Sequence, residues 1–229
     1  MSILQPATFT CPACGEPFEA SLAHSVNADR RPDLRDAILD GSFQVITCTH
    51  CNEQARIQPE MTYLDVGRDQ WILTRAVDKI ADWEDLEQQA RQLYGQSFGK
   101  DAPGIVQALG ARLQVRICFG WAALREKLLC AAWQLDDVIL ELVKLALIRT
   151  GPNLPLADDT ELRLTDRSDS ELVFVWMNAA DETVVQQLTV PKELYDEIHE
   201  HRADWEQPAA ELSAGPFVDI HRMLVPTTA

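Results

Sequence analysis

Cys11 and Cys14 in TFTCPACGEPF, and Cys48 and Cys51 in ITCTHCNEQ, are the residues whose type and spacing most directly imply chemistry. Two residues between cysteines let a tight turn aim both sulfurs at one point, with backbone N–H groups free to donate to the thiolates. Gly15 follows the first pair and supplies the permissive backbone such a turn needs. Asn52 holds the matching place after the second pair, and asparagine is the next best residue for a left-handed conformation. Two such turns on adjacent strands complete a tetrahedral four-thiolate site. That site suits one Zn2+ at Zn–S distances of about 2.3 Å and leaves no position open for a substrate. The expected cofactor is therefore one structural Zn2+ held by Cys11, Cys14, Cys48 and Cys51.

Two other arrangements compete with this one. Separate redox pairs would need a helix N-terminus to lower a thiol pKa, whereas strand-like sequence flanks both pairs. His50 as a replacement ligand would have to turn inward from a position where the turn points side chains outward. His24 reads as a strand surface residue. Cys118 and Cys130 lie 12 residues apart, roughly 18 Å along a continuous helix, and their apolar neighbours mark them as buried thiols. Glu126, Asp136, Asp137 and Glu141, with Lys144, form the best alternative cluster, since carboxylates beside a lysine can hold a catalytic metal or move protons. On one helix Asp137, Glu141 and Lys144 share a face, and the plainer expectation is an intrahelical charge ladder with Asp136 as a cap. His199 and His201 are two apart and diverge on a helix, so with His221 they make a poor second metal site.

These residues must be positioned by the elements around them. EPFEASLAHSVNA alternates as a strand with Phe18, Ala20 and Leu22 on one face. RRPDLRDAILDGS reads as a short helix that starts at Pro32 and stops at Gly41, and it accounts for a gap of 33 residues between the pairs, longer than the roughly 15 to 20 of ordinary ribbons. SFQVITC, QARIQ, MTYLDV and QWILTRA read as short strands. From about Asp78 to Arg149 the pattern turns helical: DWEDLEQQARQLYGQSF, then PGIVQALGARLQVRICFG, whose second half suits helix or strand. WAALREKLLCAAWQLDDVILELVKLALIRTG comes next, one helix or two, apolar on most faces. PNLPLADD is the clearest linker. Beyond it come three strands, ELRLTD, ELVFVWMN and TVVQQLTV, a helix from Pro191, and a strand-like PFVDIHRMLV. The expected fold is α+β: a zinc-ribbon-like β part with an inserted helix (1–75), a helical middle (76–150), and an acidic α+β C-terminal unit (151–229).

Length and charge bound the function. The 229 residues, 46% hydrophobic, can bury a real core without disulfides. The opening MSILQPATFT lacks a basic segment followed by an apolar one, and no apolar run reaches the length of a membrane span. The expectation is a soluble cytoplasmic protein, where free thiols persist. The net charge is −16, of which −11 falls on residues 151–229. That opposes nucleic-acid binding, which needs clustered Lys and Arg. Arg30, Arg31 and Arg35 are interspersed with Asp29, Asp33 and Asp36, giving a mixed surface.

The opening CPxC, the charged helix ending in DGSF, the second CxxC and MTYLDV, in that order, together resemble the CpXC domain, a bacterial and archaeal family. LREKLL and LDDVILELVK look like its helical second half, so the resemblance runs from roughly Phe9 to Ile148. Cys11, Cys14, Cys48 and Cys51 fall on the family's cysteine positions. Thr49 and Asn52 stand where a proline and a glycine are expected, which touches the rigidity of the second turn and leaves the ligands in place. The resemblance implies a zinc-binding domain and brings no activity with it. The expected function is a non-catalytic zinc-binding scaffold or adaptor whose partner is another protein, with a basic surface, and neither nucleic acid nor membrane. The alternatives are a zinc-ribbon nucleic-acid reader and an enzyme using Asp136, Asp137 and Glu141.

Overall fold

The computed structural model describes residues 2–151, 154–157 and 159–224. The fold is α+β, as the sequence patterns require. Strand β1 (Ile3–Thr10) pairs antiparallel with β2 (Pro17–Asn27), and the first CxxC forms the turn between them. Helix α1 (Pro32–Leu39) follows, with proline in its first turn, and the chain leaves it through Gly41 at φ 84°. A separate two-stranded hairpin, β3 (Val45–Thr47) and β4 (Gln54–Arg56), carries the second CxxC. Strands β5 (Met61–Asp65) and β6 (Gln70–Arg75) then extend the first sheet.

After helices α2 (Trp83–Phe98) and α3 (Gly104–Gly110), the chain returns to that sheet as β7 (Gln114–Phe119), so LQVRICF is extended. The order is β1-β2-β5-β6-β7. The return has a physical reason: β6 lies between β5 and β7, with Gln70 to Thr74 all buried, so its outer edge must be covered by another strand. Ile72, Tyr63, Val26 and Ala23 pack on one side of the sheet with Ile38 of α1; Trp71, Leu73 and Ile117 pack on the other with Trp83 and Ala90 of α2.

The long apolar stretch is two helices, α4 (Gly120–Trp133) and α5 (Asp137–Thr150). Gln134 turns left-handed at φ 57° and ends α4, and the Leu135 N–H closes back on the Cys130 carbonyl at 2.9 Å. Asp136 then caps α5 by accepting the Val138 N–H at 2.8 Å. Helix α4 is buried nearly all round because it lies between the first sheet, through Leu124 and Leu128, and a second sheet, through Ala122.

That second sheet is β8 (Thr160–Arg167), β9 (Glu171–Asn178) and β10 (Val184–Pro191), with β9 central. One face packs on α5, on α6 (Lys192–Glu200) and on α7 (Glu206–Leu212) through Leu162, Phe174, Leu142 and Ile198. The chain closes with buried Phe217, Val218 and Ile220 and a helical turn, α8 (His221–Leu224). PFVDIHRMLV is therefore not a strand in its described part. Its apolar residues Phe217, Val218 and Ile220 fill the core beside α5 and β7, where the Ile117 N–H donates to the Pro216 carbonyl at 3.0 Å. The linker PNLPLADD lies partly outside the described residues.

Candidate metal centre

Each CxxC sits at the tip of a hairpin, and the two turns close in the same way. The Cys11 N–H donates to the Glu16 carbonyl at 3.0 Å and the Gly15 N–H to the Cys11 carbonyl at 2.9 Å; the Cys48 N–H donates to Glu53 at 2.8 Å and the Asn52 N–H to Cys48 at 3.0 Å. Gly15 (φ 74°) and Asn52 (φ 62°) take the left-handed position in each. The second turn thus keeps the first one's geometry with a poorer residue in the strained place, and Asn is the non-glycine best able to hold it.

The hairpins face each other and bring the four Sγ atoms within 4.8 Å of one another. Cys11 lies 3.6 Å from Cys51, and Cys14 lies 3.8 Å from Cys48. A tetrahedron of sulfurs about 2.3 Å from a central ion has edges of about 3.8 Å, so the spacing fits one tetrahedral ion and is too long for disulfides. Cys11 and Cys48 are buried against Phe18, with Phe9 and Ile46 partly covering them, while Cys14 and Cys51 are exposed. One side of the site is thus part of a small core and the other faces solvent.

Crowding four thiols limits how many lose protons without a cation. Cys11 is lowered to about 7, chiefly by the Cys14 N–H pointing at its sulfur. Cys51 is helped by the Glu53 N–H, but desolvation and the neighbouring thiols Cys14, Cys11 and Cys48 outweigh it and push its pKa up to about 12. A dication at the centre would relieve that conflict, because it stabilises all four thiolates at once. The His50 N–H donates to the Cys48 Sγ at 3.4 Å, and its ring Nε2 donates to the Pro17 carbonyl at 3.2 Å. His50 therefore braces one hairpin against the other from outside the ligand set. Gln44 adds a second brace: its side chain accepts the Ala23 N–H and donates to the Ser21 carbonyl, filling the open edge of β2. Sequence patterns gave no signal for Gln44, whose partners are more than 20 residues away.

The matching family is described as the CpXC protein family, and its profile covers residues 9–144, more than half of the chain. The chain belongs to the CpXC family. No curated protein and no solved structure matches it. The CpXC segment contains both knuckles and ends inside α5, close to the Ile148 boundary expected from the sequence.

Outside the knuckles, the described residues of this CpXC protein hold no second group of three or more His, Cys, Asp or Glu able to bind a metal ion. His201 bonds to the Glu197 carbonyl, and His199 stacks on Tyr195. Cys118 and Cys130 are buried, as expected, although on a strand and a helix instead of one helix; burial pushes Cys118 up to about 12. Asp136 is the cap of α5.

Of the expected ladder only the Glu141–Lys144 pair forms within α5, and Asp137, Glu141 and Lys144 are all buried. Lys144 bonds to Glu141 at 2.9 Å and to Glu126 at 2.5 Å, and Glu126 also meets Arg163 at 3.1 Å and the Leu164 N–H at 2.6 Å. Arg163 continues to Asp219 at 2.5 Å and Glu161 at 2.6 Å. Asp137 takes a bidentate pair of bonds from Arg116, at 2.7 and 2.9 Å, and pairs with Lys127 at 3.0 Å. Burial opposes the charged form of Asp137, but Lys127 and then Arg116 outweigh it and hold the carboxyl well below its usual range. Arg116, Arg163 and Asp219 escape sequence reasoning as partners because they arrive from β7, β8 and the closing segment, and no local spacing joins them to α5.

Proposed function

We propose that this CpXC protein is a non-catalytic scaffold or adaptor whose Cys11, Cys14, Cys48 and Cys51 hold one structural Zn2+. The closeness of the four sulfurs carries this reading: four thiolates fill every corner of a tetrahedron and leave no place for a substrate. Zinc is favoured over iron, which tetrahedral sulfur sites also take, because a closed site without redox work asks only for a cross-link between two hairpins. When bound, the ion supplies charge neutralisation and that cross-link. The chain's own residues direct the thiolates by backbone N–H groups and brace the hairpins through His50 and Gln44.

A protein partner with a basic surface is supported by the acidic balance, net −16. Two of the three basic residues nearest the first helix are already engaged: Arg31 pairs with Asp33 at 2.6 Å, and Arg35 with Asp65 at 3.3 Å. That favours a protein partner over a phosphate backbone. A structural role for Asp137 and Glu141 is supported by their being 3% and 0% exposed and bonded to cations. Among the described residues no helix is long and apolar enough to cross a membrane.

Elemental analysis after purification without chelator tests the site: one zinc per chain is expected. Less than half an equivalent of zinc, with all four thiols freely alkylated, sinks it, and one equivalent of iron corrects the metal. For the partner, association with a basic protein should weaken as salt rises from roughly 50 to 500 mM. Sub-micromolar DNA or RNA binding at physiological salt, dependent on Arg30, Arg31 or Arg35, would instead install the nucleic-acid reading.

A further inference from the structure

Four strand edges border the two larger sheets, and three of them are guarded. On β1, Pro6 stands opposite Ser21, whose carbonyl is turned away from β1 to Gln44, so the missing N–H of Pro6 falls on the outer side of the sheet. On β7 the closing segment covers the edge, its Pro216 carbonyl accepting the Ile117 N–H. Strand β8 lies against α4, and its Leu164 N–H is taken by the Glu126 carboxylate. The fourth edge is β10. The stretch TVVQQLTVP, residues 183–191, holds no charged residue in a chain that is 24% charged, and Val184 and Val185 are 61% and 52% exposed. An uncharged, exposed edge of this kind is a template for pairing with another strand.

The register with β9 decides which backbone groups are open. The Lys192 N–H donates to the Ser170 carbonyl at 2.8 Å, and Val190, Leu188 and Gln186 stand opposite Leu172, Phe174 and Trp176. Antiparallel bonding alternates, so those three turn their N–H and C=O groups toward β9, while Gln187 and Thr189 turn theirs away. Among the described residues none bonds to these outward groups. The open stretch is bounded by a bulge at Val185 and by Pro191, which has no N–H.

These limits make the edge complementary to itself. In an antiparallel pair centred on Leu188, Gln187 of each copy faces Thr189 of the other, and every outward N–H of the two residues meets a carbonyl. The same arrangement sets Lys192 of each copy beside the other's β9–β10 turn, which carries Asp181 and Glu182. A parallel pair would instead bring the two acidic turns together.

We propose that β10 pairs antiparallel about Leu188 with β10 of a second copy, joining two three-stranded sheets across a two-fold axis. The pairing depends neither on the metal nor on the basic partner.

Sedimentation of the full chain tests it. A single strand pair is smaller than the roughly 1,200 Å2 of a stable interface, so a dimer is expected that forms toward about 200 µM and dissociates near about 1 µM. Because each copy carries net −16, rising salt should strengthen it, the opposite of the salt response expected with a basic partner. Gln187→Lys combined with Thr189→Lys sets lysines directly opposite one another and should weaken the dimer at least about tenfold, although it reduces the net charge that drives the copies apart. Gln187→Lys combined with Thr189→Glu sets Lys against Glu in this register and should restore the dimer. Both variants change only exposed side chains of an edge strand. A monomer at every concentration in high salt overturns the self-pairing and leaves β10 open to a strand of another protein. A dimer unchanged in the double-lysine variant overturns β10 as the surface, and a Lys/Glu variant as weak as the double-lysine one overturns the register.

Discussion

Buried charge is the feature that most changes what single substitutions should do. Glu126, Glu141 and Lys144 are fully buried and share one set of bonds, so removing one partner strands the others in a low-dielectric interior. Lys144→Met or Glu126→Gln should lower stability by about 3–5 kcal/mol, whereas Asp136→Ala, which removes only the cap of α5, should cost about 1 kcal/mol; urea denaturation separates the two. Acid should act through the same residues. Asp137 is held low by Lys127 and Arg116 against its burial, and Asp219 by Arg163 and His221 against its own. A folded-state pKa below the unfolded value gives stability that is present above the unfolded value and lost as pH falls toward the folded one. The urea midpoint should therefore fall as pH drops below about 4, and Asp137→Asn should flatten that fall. Glu141 works in the opposite direction, because burial, its largest influence, raises its pKa despite Lys144.

At the scale of elements, the β3–β4 hairpin is the part with least support from the core. It pairs only with itself in the sheets, and its contacts to the rest include those of the cysteines, Ile46, Gln44, His50 and Arg56. Arg56 lies over Trp121 at 4.7 Å and reaches Glu182 of the β9–β10 turn at 3.3 Å. Removing the metal, or substituting Cys14→Ser or Cys51→Ser, should raise hydrogen exchange at both hairpin tips and leave α4 and α5 protected, since apolar burial and paired charge hold those helices. Faster exchange confined to residues beyond Asp78 would refute that division. The strained position supplies a finer probe. Asn52→Gly should preserve metal affinity against a chelator, and Asn52→Ala should destabilise the loaded hairpin by about 1 kcal/mol, the penalty of a left-handed alanine.

For the whole molecule, the buried charges tie the CpXC segment to the C-terminal part of the chain. Glu126 accepts the Leu164 N–H, Glu141 accepts the Ile220 N–H at 3.1 Å, and Lys127 donates to the Val218 carbonyl at 2.6 Å. A chain cut at Gly151 keeps its four cysteines but loses Arg163, Asp219 and these backbone partners. It should still hold its metal while α4 and α5 lose their cooperative melting, and calorimetry on the truncated and full chains checks this. A sharp transition in the truncated chain, like that of the full one, would mean that the network is dispensable.

What the sequence determined by itself was local. The spacing of each CxxC, Gly15 and Asn52 after the turns, Pro32 at the start of α1, and the strand-forming residues of MTYLDV and ELVFVWMN each act within a few residues, and each appears in the fold. The cluster of four cysteines was legible for the same reason: two local turns need only face each other. The tertiary structure alone decided that β7 joins the first sheet, that PFVDIHRMLV closes the core without a strand, and that Asp137, Glu141 and Lys144 are interior. An amphipathic charge pattern on a helix says which face is polar; whether that face meets water or the cations of distant strands depends on remote chain segments, such as the one that brings Asp219 to Glu126 through Arg163. Burial is a property of the assembled layers, and no short window of sequence contains it.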